Sequence, residues 1–91
     1  MGVYLRKNDL RKQLGETIKK FRLLSGITPH RFGLEIGGDR QFVYSIEDGI
    51  YELDILTLRR CARALNIEVS ELVLAAETGG LPMLLTQSAY L

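Results

Sequence analysis

Between Asp9 and Ser25 the apolar residues Leu10, Leu14, Ile18 and Phe21 recur at spacings of four, four and three, with Lys19, Lys20 and Arg22 on other faces. That spacing predicts an amphipathic helix. Gly26 is suited to end it, because glycine reaches the left-handed conformation without a Cβ clash. Thr28 and Pro29 then predict a new start: threonine as N-cap, proline at the first helical position, where no N–H is needed. Phe32 and Ile36 supply the buried stripe of this second helix, and Gly37-Gly38 stop it. Asp39 caps a third, in which Val43 and Ile46 point one way and Arg40, Gln41, Tyr44 and Ser45 the other, until Asp48-Gly49 closes it. Asp54 caps a fourth helix to about Leu65, with Ile55, Leu58, Ala62 and Leu65 at buried spacing and Asn66 as its stop. Ser70 followed by Glu71-Leu72-Val73-Leu74 opens a fifth. No stretch combines clean alternation with hairpin chemistry, so the expected fold is all-α: a five-helix orthogonal bundle with short loops.

Composition narrows the function. The 91 residues, 46% hydrophobic and 25% charged, suit one small globular domain. A chain this short buries only about 60% of its unfolded surface, which favours a binding module over an enzyme with a deep cleft and lid. The net charge is +1, but residues 1–40 hold nine basic and four acidic side chains and residues 41–91 three and seven. A polyanion is therefore expected to meet the first half. With one cysteine, Cys61, and one histidine, His30, no disulfide or Cys/His zinc site can be assembled within the chain, and a reducing cytoplasm fits. No apolar run approaches a membrane span and the start lacks a long apolar leader core, so a cytoplasmic location without a membrane partner is expected. No catalytic triad, metal cluster or phosphate loop is evident, and neither an enzymatic activity nor a cofactor is called for.

The segment from Thr28 to Gly49 reads as two short helices around a glycine-containing turn, the second with an outward polar stripe, which is the helix-turn-helix pattern. From Leu14 to Val73 the chain resembles, without gaps, the phage-repressor and Cro type of helix-turn-helix domain, also called the xenobiotic-response-element family. The resemblance rests on LGETIKKFRLLSGIT, RFGLEIG, VYSIEDG and LRRCARALNIEVSELV, all in one register. It implies the lambda-repressor-like fold, sequence-specific binding of double-stranded DNA, usually as a homodimer on a pseudo-palindromic operator, and a role in transcription regulation.

Carried over by position, the resemblance implies base-reading roles for Arg40, Gln41, Tyr44 and Ser45, with Phe42 beside them. A guanidinium can bond guanine O6 and N7 together, and a glutamine amide can do the same at adenine N6 and N7. Phe42 or Tyr44 is suited to a thymine methyl. Implied backbone contacts are Thr28, Pro29, His30 and Arg31 at the start of the second helix, where free N–H groups favour an anion. Lys19 and Lys20 are further candidates. A solvated histidine is the plainer reading of His30, a buried small hydrophobe that of Cys61, and a solvated face that of Arg59, Arg60 and Arg63. Arg22 and Glu47 occupy positions whose side chains pair in the family. The chain departs from the family pattern at Pro29, where glutamine is common, at Asp48, Ile50, Tyr51 and Glu52, where basic or polar residues are common, and at Leu23, Leu24 and Leu34.

The expected organisation is an N-terminal extension over 1–13, the helix-turn-helix domain over 14–77 and an apolar tail over 78–91. Homodimerisation is expected through Leu72 to Ala76 and the tail, because an uncharged apolar segment is costly to expose on a small body. The alternative reading is a protein-interaction module on the same fold, antitoxin-like, whose tail covers a protein partner while DNA binding is secondary or lost.

Overall fold

In the computed structural model, which describes residues 7–79, five helices follow in order: α1 (Lys7–Leu24), α2 (Pro29–Glu35), α3 (Arg40–Glu47), α4 (Ile55–Ala64) and α5 (Val69–Glu77). The described residues contain no strand. Three of the four interior starts are side-chain caps that the sequence predicts. Thr28 Oγ1 accepts the Arg31 N–H at 3.1 Å, Asp39 Oδ1 accepts the Phe42 N–H at 2.9 Å, and Asp54 Oδ1 accepts the Thr57 N–H at 2.7 Å. Each satisfies one of the amide donors that a helix start leaves without an intrahelical partner. Gly26 (φ 71°) and Asn66 (φ 60°) take the left-handed conformation just past α1 and α4.

Two boundaries differ from expectation. α1 begins at Lys7 and runs unbroken through residue 13, so half of the segment expected as an extension is helix, and Leu10 packs against the core. α5 begins at Val69, one residue before Ser70, because Glu71 turns back and its Oε1 accepts the Glu68 N–H at 2.9 Å.

The core gathers one stripe from every helix: Ile18 and Phe21 from α1, Phe32 from α2, Val43 and Ile46 from α3, Cys61 and Ala62 from α4, Leu72 and Ala75 from α5, with Ile36 after α2. α1 is the hub, lying against both α5 and α3, while α2 packs on α3 and α4. Its approach to α3 depends on Gly15. A Cβ there would collide with the carbonyl oxygens of Ile46 and Glu47, so only hydrogen fits between the two backbones. A mid-helix glycine otherwise costs about 1 kcal/mol relative to alanine, and close helix contact is what it permits. Burial pushes the Cys61 thiol up to about 12, with the Glu47 carboxylate adding to it. It is held as a neutral thiol among apolar neighbours.

This packing narrows the dimer surface expected on α5. Leu72, Ala75 and Ala76 are all fully buried inside the chain, on the side of α5 turned to α1. Side chains that complete the protomer's own core cannot also meet a second copy. From that stretch only Leu74, 44% exposed, faces outward, and the half-buried Val73 packs against the core. Thr78, the first residue of the expected tail, closes α5 by donating its hydroxyl to the Leu74 carbonyl at 2.9 Å. The rest of the tail, residues 80–91, lies outside the described residues.

Candidate nucleic-acid interface

α3 carries the outward stripe. Val43 and Ile46 are buried, which by helical geometry turns Arg40, Gln41 and Tyr44 to solvent, and all three are exposed. Ser45 is placed differently: it is half-buried, and its hydroxyl donates to the Phe42 carbonyl at 2.7 Å. That proton is committed to the helix's own backbone, so a base edge could use only the remaining lone pairs of the oxygen. Phe42 is also half-buried, its ring set edge-on to Tyr51 with centroids 4.8 Å apart and planes at 79°. Of the two aromatic candidates for a thymine methyl, Tyr44 is the exposed one.

At the start of α2, Thr28, His30 and Arg31 are exposed and Pro29 is half-buried. The Thr28 hydroxyl is already a cap acceptor for Arg31. Arg31 Nε lies 3.6 Å from Glu35 Oε2 in an exposed pair one turn apart, an arrangement worth about 0.3 to 0.5 kcal/mol. Arg31 stays exposed in that pair. Lys19 and Lys20 are exposed on α1. The structure thus sets the α2 and α3 candidates on two packed helices and leaves the two lysines on a third.

The far end of α3 is anchored by charge. Arg22 Nε–H donates to Glu47 Oε2 at 2.6 Å and Nη2–H to Oε1 at 3.2 Å, with both residues about 5% exposed. The remaining terminal nitrogen, Nη1, donates to the Ile27 carbonyl at 2.9 Å. One guanidinium therefore ties the end of α1 to the end of α3 and to the turn leading into α2. Its fork matches the carboxylate geometry, and the third bond pairs the remaining terminal nitrogen.

The loop after α3 folds back on its own helix. The N–H groups of Ile50 and Tyr51 both donate to the Ser45 carbonyl at 3.0 Å. Glu52 Oε1 lies 3.5 Å from Arg11 Nη2, so α1 meets this acidic charge from outside the loop. Tyr51 Oη–H donates to Asp54 Oδ2 at 3.3 Å. The Asp54 carboxyl is held below its ordinary value, first by the Thr57 backbone N–H, then by the Thr57 hydroxyl, with Tyr51 and the Arg60 charge assisting. The ring contact between Phe42 and Tyr51 and the committed Ser45 hydroxyl escape a reading of sequence pattern. An aromatic nine positions beyond another in an irregular loop carries no periodic signal.

A helix-turn-helix family model, of the Cro/C1 type, matches residues 18–72, more than half of the chain. This chain belongs to that family. Cro/C1-type helix-turn-helix proteins are DNA-binding transcription regulators. Among solved structures the chain is similar to the clp gene regulator ClgR from C. glutamicum, at 22% identity and a TM-score of 0.74, over 79% of this chain and 92% of that one. It is also similar to the restriction-modification controller protein C.AhdI from Aeromonas hydrophila, at 28% identity and a TM-score of 0.66, over 70% and 96%. A hypothetical transcription factor, NHTF from Neisseria, aligns at 20% identity with a TM-score of 0.67, over 98% and 94%. No curated protein matches the sequence. The likenesses to ClgR and NHTF establish the fold, and the match of the Cro/C1-type model establishes the family. No helix among the described residues is long and apolar enough to cross a membrane.

Proposed function

We propose that this chain is a sequence-specific double-stranded DNA-binding transcription regulator that acts as a homodimer on a pseudo-palindromic operator. The observation that carries this reading is the pairing of an exposed Arg40, Gln41 and Tyr44 on α3 with a helix anchored at its far end by the buried Arg22–Glu47 pair. A recognition helix needs both: polar groups free to meet base edges, and a scaffold that keeps their positions from drifting. Arg40 and Gln41 stand in the first turn and take the main part of base readout. Tyr44 follows one turn later, and Ser45 contributes through its oxygen alone. Thr28, Pro29, His30 and Arg31, with Lys19 and Lys20, are the proposed backbone contacts, which position the domain and carry no sequence information.

The proposed homodimer draws on the exposed Leu74 of α5 and on the apolar tail, whose residues 80–91 lie outside the described residues. Two recognition helices reading successive major-groove faces would stand about 34 to 36 Å apart. A monomer mass in sedimentation at tens of micromolar overturns this half of the proposal.

Exposure of Leu23, Leu24 and Leu34, each at least 60% accessible, favours the second reading, a protein-interaction module. Titration of the chain against a random duplex pool at several salt concentrations decides between the two. Phosphate contacts give affinity that falls linearly with salt on logarithmic axes. Binding that shows this slope, with enrichment of a preferred sequence, supports the regulator. No binding to any duplex overturns it.

A further inference from the structure

In the loop after α3, Asp48, Ile50 and Glu52 are exposed, whereas Tyr51 is half-buried and turned back onto α3. Tyr51 is bound at three places. Its N–H reaches the Ser45 carbonyl, its ring stands against Phe42, and its hydroxyl reaches Asp54, the cap of α4. Phe42 is equally constrained on its other side. A Cβ on Gly38 would lie 2.5 Å from the ring carbon Cδ2, so the ring closes over the turn between α2 and α3 at a place where only glycine leaves room. Phe42 directly follows Arg40 and Gln41, and its N–H is the one that Asp39 caps. A continuous chain of contacts therefore runs from the turn before α3, through the first turn of α3, to the start of α4.

From this geometry we infer that Tyr51 is a positioning residue for base readout: its edge-on contact with Phe42 holds the first turn of α3, and with it Arg40 and Gln41, in the orientation that discriminates between duplex sequences. The inference rests on the DNA-binding reading and deepens it. The physical reason is leverage. Phosphate contacts tolerate small rotations of a helix because they are attractions between charges, whereas a bidentate hydrogen bond to a base edge is directional and weakens steeply with misalignment. A loosened first turn should therefore cost specificity and leave charge-driven binding as it is. Arg11 and the Asp54–Thr57 cap act on either side of this contact, but neither touches Phe42.

The test uses the full chain and the duplex enriched from a random pool, with a scrambled duplex of equal length as the non-specific probe. Tyr51→Leu is expected to lower the ratio of specific to non-specific affinity about threefold to tenfold, the magnitude of an aromatic pair beyond its buried area. The non-specific affinity and its salt slope stay as in the wild type. Tyr51→Phe keeps the ring and is expected to restore most of the ratio, although it loses the bond to Asp54. Phe42→Leu should lower the ratio to the same extent, and the double variant by no more than either single one, since both remove one contact. Amide exchange without DNA provides a second readout: protection should fall in residues 42–46 of Tyr51→Leu and stay unchanged in α1 and α5. An unchanged ratio in Tyr51→Leu, an equal loss on both duplexes, or an exchange change spread over all helices overturns the inference alone. A wild type without salt-dependent binding to either duplex overturns the DNA-binding reading and the inference with it.

Discussion

The two ends of α3 are held by opposite means. At its C-terminal end a fully enclosed guanidinium and carboxylate join through two hydrogen bonds, and the Gly15 face of α1 lies directly against the backbone. At its N-terminal end a half-buried pair of rings, Phe42 and Tyr51, links the helix to a loop through contacts that water partly reaches. Desolvated charges resist any change of partner, because one left alone cannot be solvated again. A ring contact fixes orientation too, but its loss leaves no charge stranded and so costs less. The C-terminal end is accordingly where the fold is secured, and the N-terminal end, beside Arg40 and Gln41, is where the proposed binding surface can be altered by substitution without unfolding the protein.

The largest effect should come from the charged end. Glu47→Gln leaves Arg22 buried without a counter-charge and is expected to reduce unfolding free energy by about 3 to 5 kcal/mol, a large part of what a domain of this size has. Urea denaturation measures it. A loss below about 1 kcal/mol would erase the contrast between the ends, because an exposed pair gives as much. Gly15→Ala comes next. The gain in helix propensity is outweighed by the collision with the Ile46 and Glu47 carbonyls, for a net loss of about 2 kcal/mol in the same assay. A stabilised variant would show that α1 and α3 can separate freely.

At the other end the expected change appears in binding rather than stability. Arg40→Ala should cost about 1 to 3 kcal/mol on the enriched duplex and relax preference at one base pair, with non-specific binding reduced by one charge only. Thermal midpoints of Arg40→Ala should match the wild type, since the side chain is exposed. A competition titration against single-base variants of the duplex reads both quantities. Equal losses on every duplex would place Arg40 among the phosphate contacts.

The smallest effect concerns Asp54, the cap of α4 that Tyr51 reaches. Its folded-state pKa lies below the ordinary 3.8, so its cap contributes stability that is present above that value and lost as the pH falls through the folded pKa. The difference in thermal midpoint between wild type and Asp54→Asn is therefore expected to be constant through neutral pH and to shrink below about pH 4. A difference that changes between pH 6 and 8 would assign the effect to another group.

Much of this architecture is legible in the sequence because the signals are local. Apolar spacing in α1, the caps Thr28, Asp39 and Asp54, and the stop at Asn66 each act within four residues, so a string of letters contains both partners. The exposure of Arg40, Gln41 and Tyr44 follows in the same way from the burial of Val43 and Ile46. Arg22 and Glu47 are 25 positions apart, and no periodicity connects them. Their pairing was expected only through the family resemblance. Leu72, Ala75 and Ala76 illustrate the limit of pattern: hydropathy identifies a face that must be covered, and is equally compatible with cover by α1 or by a second copy.

The sequence by itself therefore determined the five helices, the starts of α2, α3 and α4, and which side of α3 faces outward, since these depend on dihedral preferences and spacing along one chain. The tertiary structure decided what those sides meet. It placed Gly15 against a carbonyl, committed the Ser45 hydroxyl to its own helix, set Tyr51 against Phe42 and drew three side chains of α5 into the core. All but the Ser45 bond, which is local to α3, are contacts between segments apart in the chain. Such contacts follow from the shape and crossing of packed helices, which are set by all the side chains at once.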